Sequence, residues 1–189
     1  VGSDATGFAI GDAVYSRPDI RRNGTYAEYV AVRAREVALK PTTISHVEAA
    51  SLPLVSITAW EALITTANLS AGQRVLIHAG AGGVGSIAVQ LAKARGAHVT
   101  ATASGGKAAL VRTLGADEVI DYRSTDVAQA ARDMDVVFDT IGGDTQEASW
   151  ASLKPGGILV SITAPPSAER AVAEGKRAGF VFIDPNAAI

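Results

Sequence analysis

The chain has 189 residues, with 17 Lys and Arg against 19 Asp and Glu and 48% apolar residues, enough to bury a core and too evenly charged to offer nucleic acid a basic stripe. It contains no cysteine, which excludes disulfides, thiolate zinc sites and a cysteine nucleophile and suits a reducing compartment. No apolar run is long enough to span a bilayer and none reads as a secretory leader, so a cytoplasmic protein without membrane or nucleic-acid partners is expected.

The chain begins at Val1 and its only methionine is Met134, so a fragment or a trimmed product is expected. In the first forty residues, Gly11–Tyr15 and Gly24–Val32 alternate like β-strands, Asn23-Gly24 is a turn signal, and Lys40-Pro41 closes the segment. These strands are too few to build a core by themselves. Ser45-x-x-Glu48 then has the spacing of a capping box, which accounts for the surroundings of His46 at a helix start.

The most telling stretch runs from Arg74 to Gly85. An apolar strand, Arg74–Ala79, breaks into Gly80, Gly82, Gly83 and Gly85, and Val84, Ile87, Ala88, Leu91 and Ala92 follow at helical spacing up to a stop at Gly96. Gly80, Gly82 and Gly85 satisfy G-x-G-x-x-G: a tight turn, a close backbone approach to a pyrophosphate, and a close helix–strand contact. A dinucleotide is expected on the amides of this helix N-terminus. The competing reading is a glycine-rich turn that binds nothing; the strand before it and the helix behind it favour the dinucleotide.

The second strand, His98–Ala103, leads into Ser104-Gly105-Gly106-Lys107. NAD-preferring sites place an acid there to hold the ribose hydroxyls, whereas a hydroxyl and an ammonium attract a 2′-phosphate. NADPH is therefore expected as the cofactor. Lys107 alternatively reads as a solvated lysine in a first helical turn, where the positive end of the helix dipole disfavours it.

Strands and helices alternate to the end of the chain. Glu118–Asp121 follows a helix ended by Gly115, and Asp135–Asp139 follows a short helix capped by Ser124 or Asp126. Asp144 and Glu147 have capping-box spacing, Lys154-Pro155-Gly156-Gly157 turns into a strand over 157–162, and a last strand, Phe180–Ile183, ends at Asp184-Pro185. Counted from Arg74, six strands separated by helices predict an α/β, doubly wound Rossmann domain with a six-stranded parallel sheet covered on both faces. The last strand, read as an uncharged open edge, predicts a homodimer.

Together, Gly24-Thr25-Tyr26-Ala27-Glu28-Tyr29, Ala49-Ala50-Ser51-Leu52-Pro53-Leu54, Thr58-Ala59-Trp60, the glycine loop, Leu114-Gly115-Ala116-Asp117 and Lys154-Pro155-Gly156-Gly157 resemble the medium-chain dehydrogenase/reductase superfamily. Within it they resemble the zinc-independent NADPH:quinone oxidoreductase, or zeta-crystallin-like, branch. The resemblance implies that residues 1–43 are the incomplete tail of a GroES-like catalytic β domain. It implies that residues 44–189 are a Rossmann domain with leading linker helices, and that both outer pieces of the family's architecture are missing. Where zinc-dependent relatives place a cysteine ligand, this chain has Leu54, so no metal is expected. His46, His78 and His98 lack metal-ligand spacing, and His78 reads as a hydrogen-bonded core residue.

The resemblance carries a set of cofactor contacts onto this chain. Thr58 matches the nicotinamide end, and Ala81, Gly82, Gly83 and Val84 the pyrophosphate loop. Ser104, Lys107 and Tyr122 match the surroundings of the 2′-phosphate, and Thr140, Ile141, Ile162 and Thr163 the ends of the fourth and fifth strands. Tyr122 also reads as a lid on the core, and the apolar contacts as packing. The implied reaction is hydride transfer from NADPH to a quinone or an enone without zinc, by an enzyme whose proton donor is not identifiable from Tyr15, Tyr26 or Tyr29. Two alternatives stand beside it: an enoyl reductase domain of a polyketide or fatty-acid synthase, and a non-enzymatic, crystallin-like NADPH-binding protein.

Overall fold

The computed structural model describes residues 1–3 and 5–183. The residues up to Ile57 and the span Thr58–Phe182 form separate compact units. In the first, β1 (Val14–Ser16) pairs antiparallel with β2 (Val37–Leu39), with Tyr15 opposite Ala38. The stretch 24–32 is not a strand. Its alternation fits a pleat, but a strand exists only with a partner for its amides and carbonyls. None lies beside it among the described residues, and Tyr26 and Tyr29 stand in solvent. Helix α1 (His46–Ala50) starts as expected. The Ser45 hydroxyl accepts from the Glu48 amide at 3.2 Å, and the Glu48 carboxylate accepts from the Ser45 amide at 2.8 Å. Helix α2 (Pro53–Trp60) runs on into a π-helical turn, Glu61–Thr66.

The second unit is built on β3 (Arg74–Ile77), α3 (Gly83–Ala94), β4 (His98–Ala103), α4 (Ala108–Thr113), β5 (Glu118–Asp121) and α5 (Val127–Ala130). The chain continues through β6 (Met134–Asp139), α6 (Gly143–Ser149), β7 (Leu153–Ser161), α7 (Ala168–Ala173) and β8 (Arg177–Phe180). The six strands form one parallel sheet in the order β5-β4-β3-β6-β7-β8. The order reverses between β3 and β6, and that switch point is where doubly wound sheets bind ligands, beyond the carboxyl ends of the strands.

Register explains why both faces are dry. Leu76, Val137 and Leu159 lie opposite one another across three strands and cluster with Met134, Trp150, Leu153 and Ala171. The alternate residues Val75, Ile77, Val136, Phe138 and Val160 point to the other face and are equally buried.

Other expectations need correction. The last strand starts at Arg177, three residues before Phe180, because Ile158–Ser161 pairs with Arg177–Phe180. That edge is therefore not uncharged, and the strand ends at Phe180, with residues 181–183 outside it; the expected stop at Asp184-Pro185 lies outside the described residues. Asp144 does not cap α6. The cap position is Gly142, at φ +81°, and Asp144 falls in the first turn. Of the two caps expected for α5, the structure takes Asp126, which accepts from the amides of Ala128 and Gln129.

Candidate functional site

The loop after β3 brings α3 against its own strand. A Cβ at Gly85 would lie 2.1 Å from the backbone oxygen of Ala79, and one at Gly80 would lie 2.8 Å from the Ala101 Cβ on β4. Only hydrogen fits at either place. The left-handed residue of the turn is not Gly80 but Ala79, at φ +51°. It is held there because its amide donates to the Thr102 hydroxyl at 3.0 Å while the next amide donates to the Thr102 carbonyl at 2.8 Å. The first helical amides, at Gly83, Val84 and Gly85, are those that an α-helix leaves without intrahelical partners. Gly82 at the cap position has no side chain to cover them, and Ala81, Gly82, Gly83 and Val84 are all at least partly open to solvent.

Beside this loop, a cavity of about 560 Å³ opens at the carboxyl edge of the sheet, lined among others by His78, Thr102, Tyr122, Ile141, Ser149 and Ser152. Tyr122 and Ile141, half exposed, form part of its wall. Ser104 and Lys107 lie on the loop after β4, next to the end of β5. Thr58 is buried within α2 and does not line this cavity.

The loops after β6 and β7 are joined by a carboxylate that reading the sequence alone did not single out. Asp139, fully buried, accepts from the amides of Ile141 and Gly142, both at 2.9 Å. It also accepts from the Gln146 side chain at 3.0 Å and from the Ser161 hydroxyl at 2.8 Å. Gln146 also donates to the Ala164 carbonyl, and the Thr163 amide donates to Ser161 Oγ. A Cβ at Gly142 would lie 2.7 Å from Thr163 Oγ1, so the two loops touch. Thr140 donates to the His78 carbonyl at 2.9 Å. Thr140, Ile141, Ile162 and Thr163 are thus brought together on one frame, with the β3 strand end attached through Thr140. Burial raises the Asp139 pKa, but the donors from Gly142, Ile141, Ser161 and Gln146 outweigh it and hold the carboxyl below its ordinary range. The sequence signal for this role is a carboxylate at a strand end just before the pair Gly142-Gly143.

His78 is the buried residue expected from its strand position. Ser149 Oγ donates to the Thr145 carbonyl at 2.6 Å, so the 2.8 Å contact between Ser149 Oγ and His78 Nε2 places the proton on Nε2. Nδ1 then accepts from the Thr102 hydroxyl at 3.5 Å. Burial pushes the His78 pKa down to about 4, against the opposing pull of the Asp139 charge.

The residues present do not fit a zinc ion. The chain has no cysteine, Leu54 stands at the position considered above, and no group of three or more His, Asp or Glu among the described residues is close enough to hold a metal. They do fit a dinucleotide: a helix start without a capping side chain, glycines where a Cβ cannot stand, and an adjoining cavity with an aromatic wall. No helix among the described residues is long and apolar enough to cross a membrane.

Comparison with known proteins gives the same assignment of fold. Residues 83–179 match the family model described as zinc-binding dehydrogenase. The chain is 42% identical over 173 residues to the mitochondrial NAD(P)H oxidoreductase RTN4IP1 of Danio rerio, covering 87% of this chain and 45% of that protein. It is 43% identical over 171 residues to the chloroplastic NADPH-dependent alkenal/one oxidoreductase of Arabidopsis thaliana, covering 86% of this chain and 44% of that protein. The structure of the quinone oxidoreductase from Coxiella burnetii superposes with a TM-score of 0.91 at 37% identity, over 100% of this chain and 61% of that one. The chain thus spans less than half the length of these curated relatives. With its family match, its sheet order and its glycine loop, the chain belongs to the zinc-binding dehydrogenase family, within the medium-chain dehydrogenase/reductase superfamily.

Proposed function

We propose that the whole protein is an NADPH-dependent oxidoreductase that delivers hydride to a quinone or an α,β-unsaturated carbonyl without zinc. The observation that carries this reading is the Gly80–Gly85 loop with its uncapped helix start, next to a cavity at the carboxyl edge of the sheet that Ala79, just before the loop, helps line. Ala81, Gly82, Gly83 and Val84 would hold the pyrophosphate on backbone amides, where the helix dipole favours an anion. Ser104, Lys107 and Tyr122 would surround the 2′-phosphate. Thr140, Ile141, Ile162 and Thr163, on the frame tied by Asp139, would support the cofactor as it crosses the sheet edge, with Thr58 toward the nicotinamide. When bound, the reduced nicotinamide supplies the hydride; the protein's residues position it and exclude water. No side chain of this chain is assigned the proton donor, and the acceptor's pocket is expected from parts of the protein beyond this chain.

The domain assignment, a GroES-like tail over 1–43 and a Rossmann domain over 44–189, rests on the family resemblance. A homodimer through β8 rests on that strand being a sheet edge, and its test is sedimentation of the full-length protein. A cytoplasmic location rests on the lack of cysteine and of any stretch that reads as a leader or a membrane span, and imaging of the tagged full-length protein decides between cytoplasm and an organelle. The functional test is NADPH oxidation by the full-length protein with a short-chain quinone and with an alkenone. Turnover of either, faster with NADPH than with NADH, is expected. Binding of NADPH with turnover of neither would favour a non-enzymatic role.

A further inference from the structure

The charge pattern around the ends of β4 and β5 needs one more cation than sequence reading supplied. In parallel register, Ala103 lies opposite Asp121, so the loops Ser104–Lys107 and Tyr122–Thr125 leave the sheet side by side. The Asp121 side chain turns toward the first loop. A Cβ at Gly105 would lie 2.7 Å from Asp121 Oδ2, while Oδ1 accepts from the Arg123 amide at 3.0 Å. A carboxylate therefore stands beside the place where Lys107 would draw a 2′-phosphate. Lys107 and Asp121 alone sum to zero charge, which gives a dianion no net attraction.

Arg123 changes that sum. The amides of Ser124 and Thr125 donate to the Asp121 carbonyl at 3.2 and 3.0 Å, which folds Tyr122–Thr125 into a turn. The Arg123 guanidinium lies 5.8 Å from the centre of the Tyr122 ring, and that ring is part of the cavity wall. Lys93, Lys154, Arg170 and Lys176 in the same unit each have a carboxylate partner. Among the described residues neither Lys107 nor Arg123 has one, nor do Arg95, Arg112, Arg132 and Arg177. What sets Lys107 and Arg123 apart is that they stand on the two loops beside Asp121. An exposed arginine stacked on an aromatic wall, with its donors unspent, is preorganised for a phosphate.

We propose that Arg123 is a specificity-determining residue: with Lys107 it offsets Asp121 and selects a dinucleotide carrying a 2′-phosphate. This rests on the dinucleotide reading of the site. The test measures affinities of the full-length protein for NADPH, NADH and adenosine 2′-phosphate in wild type, Arg123→Gln, Arg123→Lys and Lys107→Ala, with thermal melting to check folding. The NADPH:NADH affinity ratio is expected to fall about tenfold in Arg123→Gln, as for loss of one charge-assisted contact, with adenosine 2′-phosphate weakened in parallel. Arg123→Lys should recover part of the ratio. An unchanged ratio in Arg123→Gln alongside a fall in Lys107→Ala overturns the role of Arg123 and leaves the dinucleotide site standing. Unchanged ratios in both overturn the whole 2′-phosphate assignment, and a folded protein that binds neither dinucleotide overturns the proposed function as well.

Discussion

Acidification is expected to destabilise the Rossmann unit through one residue, His78. Its neutral ring is 3% exposed and donates through Nε2 to Ser149, and its pKa lies at about 4 against an ordinary 6.5. In the unfolded chain the ring takes up its proton at the ordinary value, so the unfolded state binds more protons between the two. The stabilisation is complete above pH 6.5 and is lost as pH falls toward 4. At 1.36 kcal/mol per pKa unit the full loss is about 3 kcal/mol, of which about 2 kcal/mol falls between about pH 7 and 4.5. Asp117, Asp135 and Asp139, all held below their ordinary value of 3.8, give up their contributions only as pH drops through and below that value. Glu48, Glu169 and Glu174, held below an ordinary 4.5, add to the loss near the bottom of the range, so the histidine's share is read as the difference between wild type and His78→Gln. The assay is urea unfolding of the full-length protein across this range, in wild type and in His78→Gln. The glutamine can still donate to Ser149 but cannot take up a proton there. At neutral pH the substitution should cost about 1–2 kcal/mol for imperfect hydrogen bonding, and between about pH 7 and 4.5 its stability should fall by about 2 kcal/mol less than that of wild type. Parallel pH profiles would refute the argument.

Three further outcomes follow from the same contacts. Gly85→Ala places a carbon 2.1 Å from the Ala79 oxygen, so it should lower stability by at least about 3 kcal/mol or displace α3, and calorimetry should find NADPH binding lost. Asp139→Asn turns an amide toward the Gln146 amide, which is already committed to the Ala164 carbonyl. A loss of about 2 kcal/mol is expected, with KM for NADPH raised more than kcat is lowered; a normal KM would detach this carboxylate from the cofactor loops. Ser149→Ala leaves His78 Nε2 without its acceptor and should cost about 1–3 kcal/mol in urea unfolding.

Where the chain repeats a strand–helix alternation bounded by glycine, sequence reading and structure agree closely. His98–Ala103 and Glu118–Asp121 form strands with the expected ends, because apolar residues bounded by breakers leave few registers that bury them. Gly24–Val32 misled because alternation reports a residue's suitability for a pleat and says nothing about a neighbouring strand. At the last strand, the apolar run Phe180–Ile183 outweighed Arg177, but an edge position lets a charged residue begin a strand at little cost. The glycine loop was legible because its constraints are steric and local. Asp139 was not, since its partners Ser161 and Ala164 come from another loop. Arg123 was passed over because its importance depends on Asp121 turning toward Gly105 across two strands, a placement that spacing along the chain does not encode.

The most direct test of the central claim is a paired titration of the full-length protein with NADPH and NADH, read by quenching of tryptophan fluorescence, to which Trp60 and the fully buried Trp150 contribute. Saturable binding of both, with NADPH tighter, is the predicted result. Equal affinity, tighter NADH, or no binding by a folded protein would contradict it.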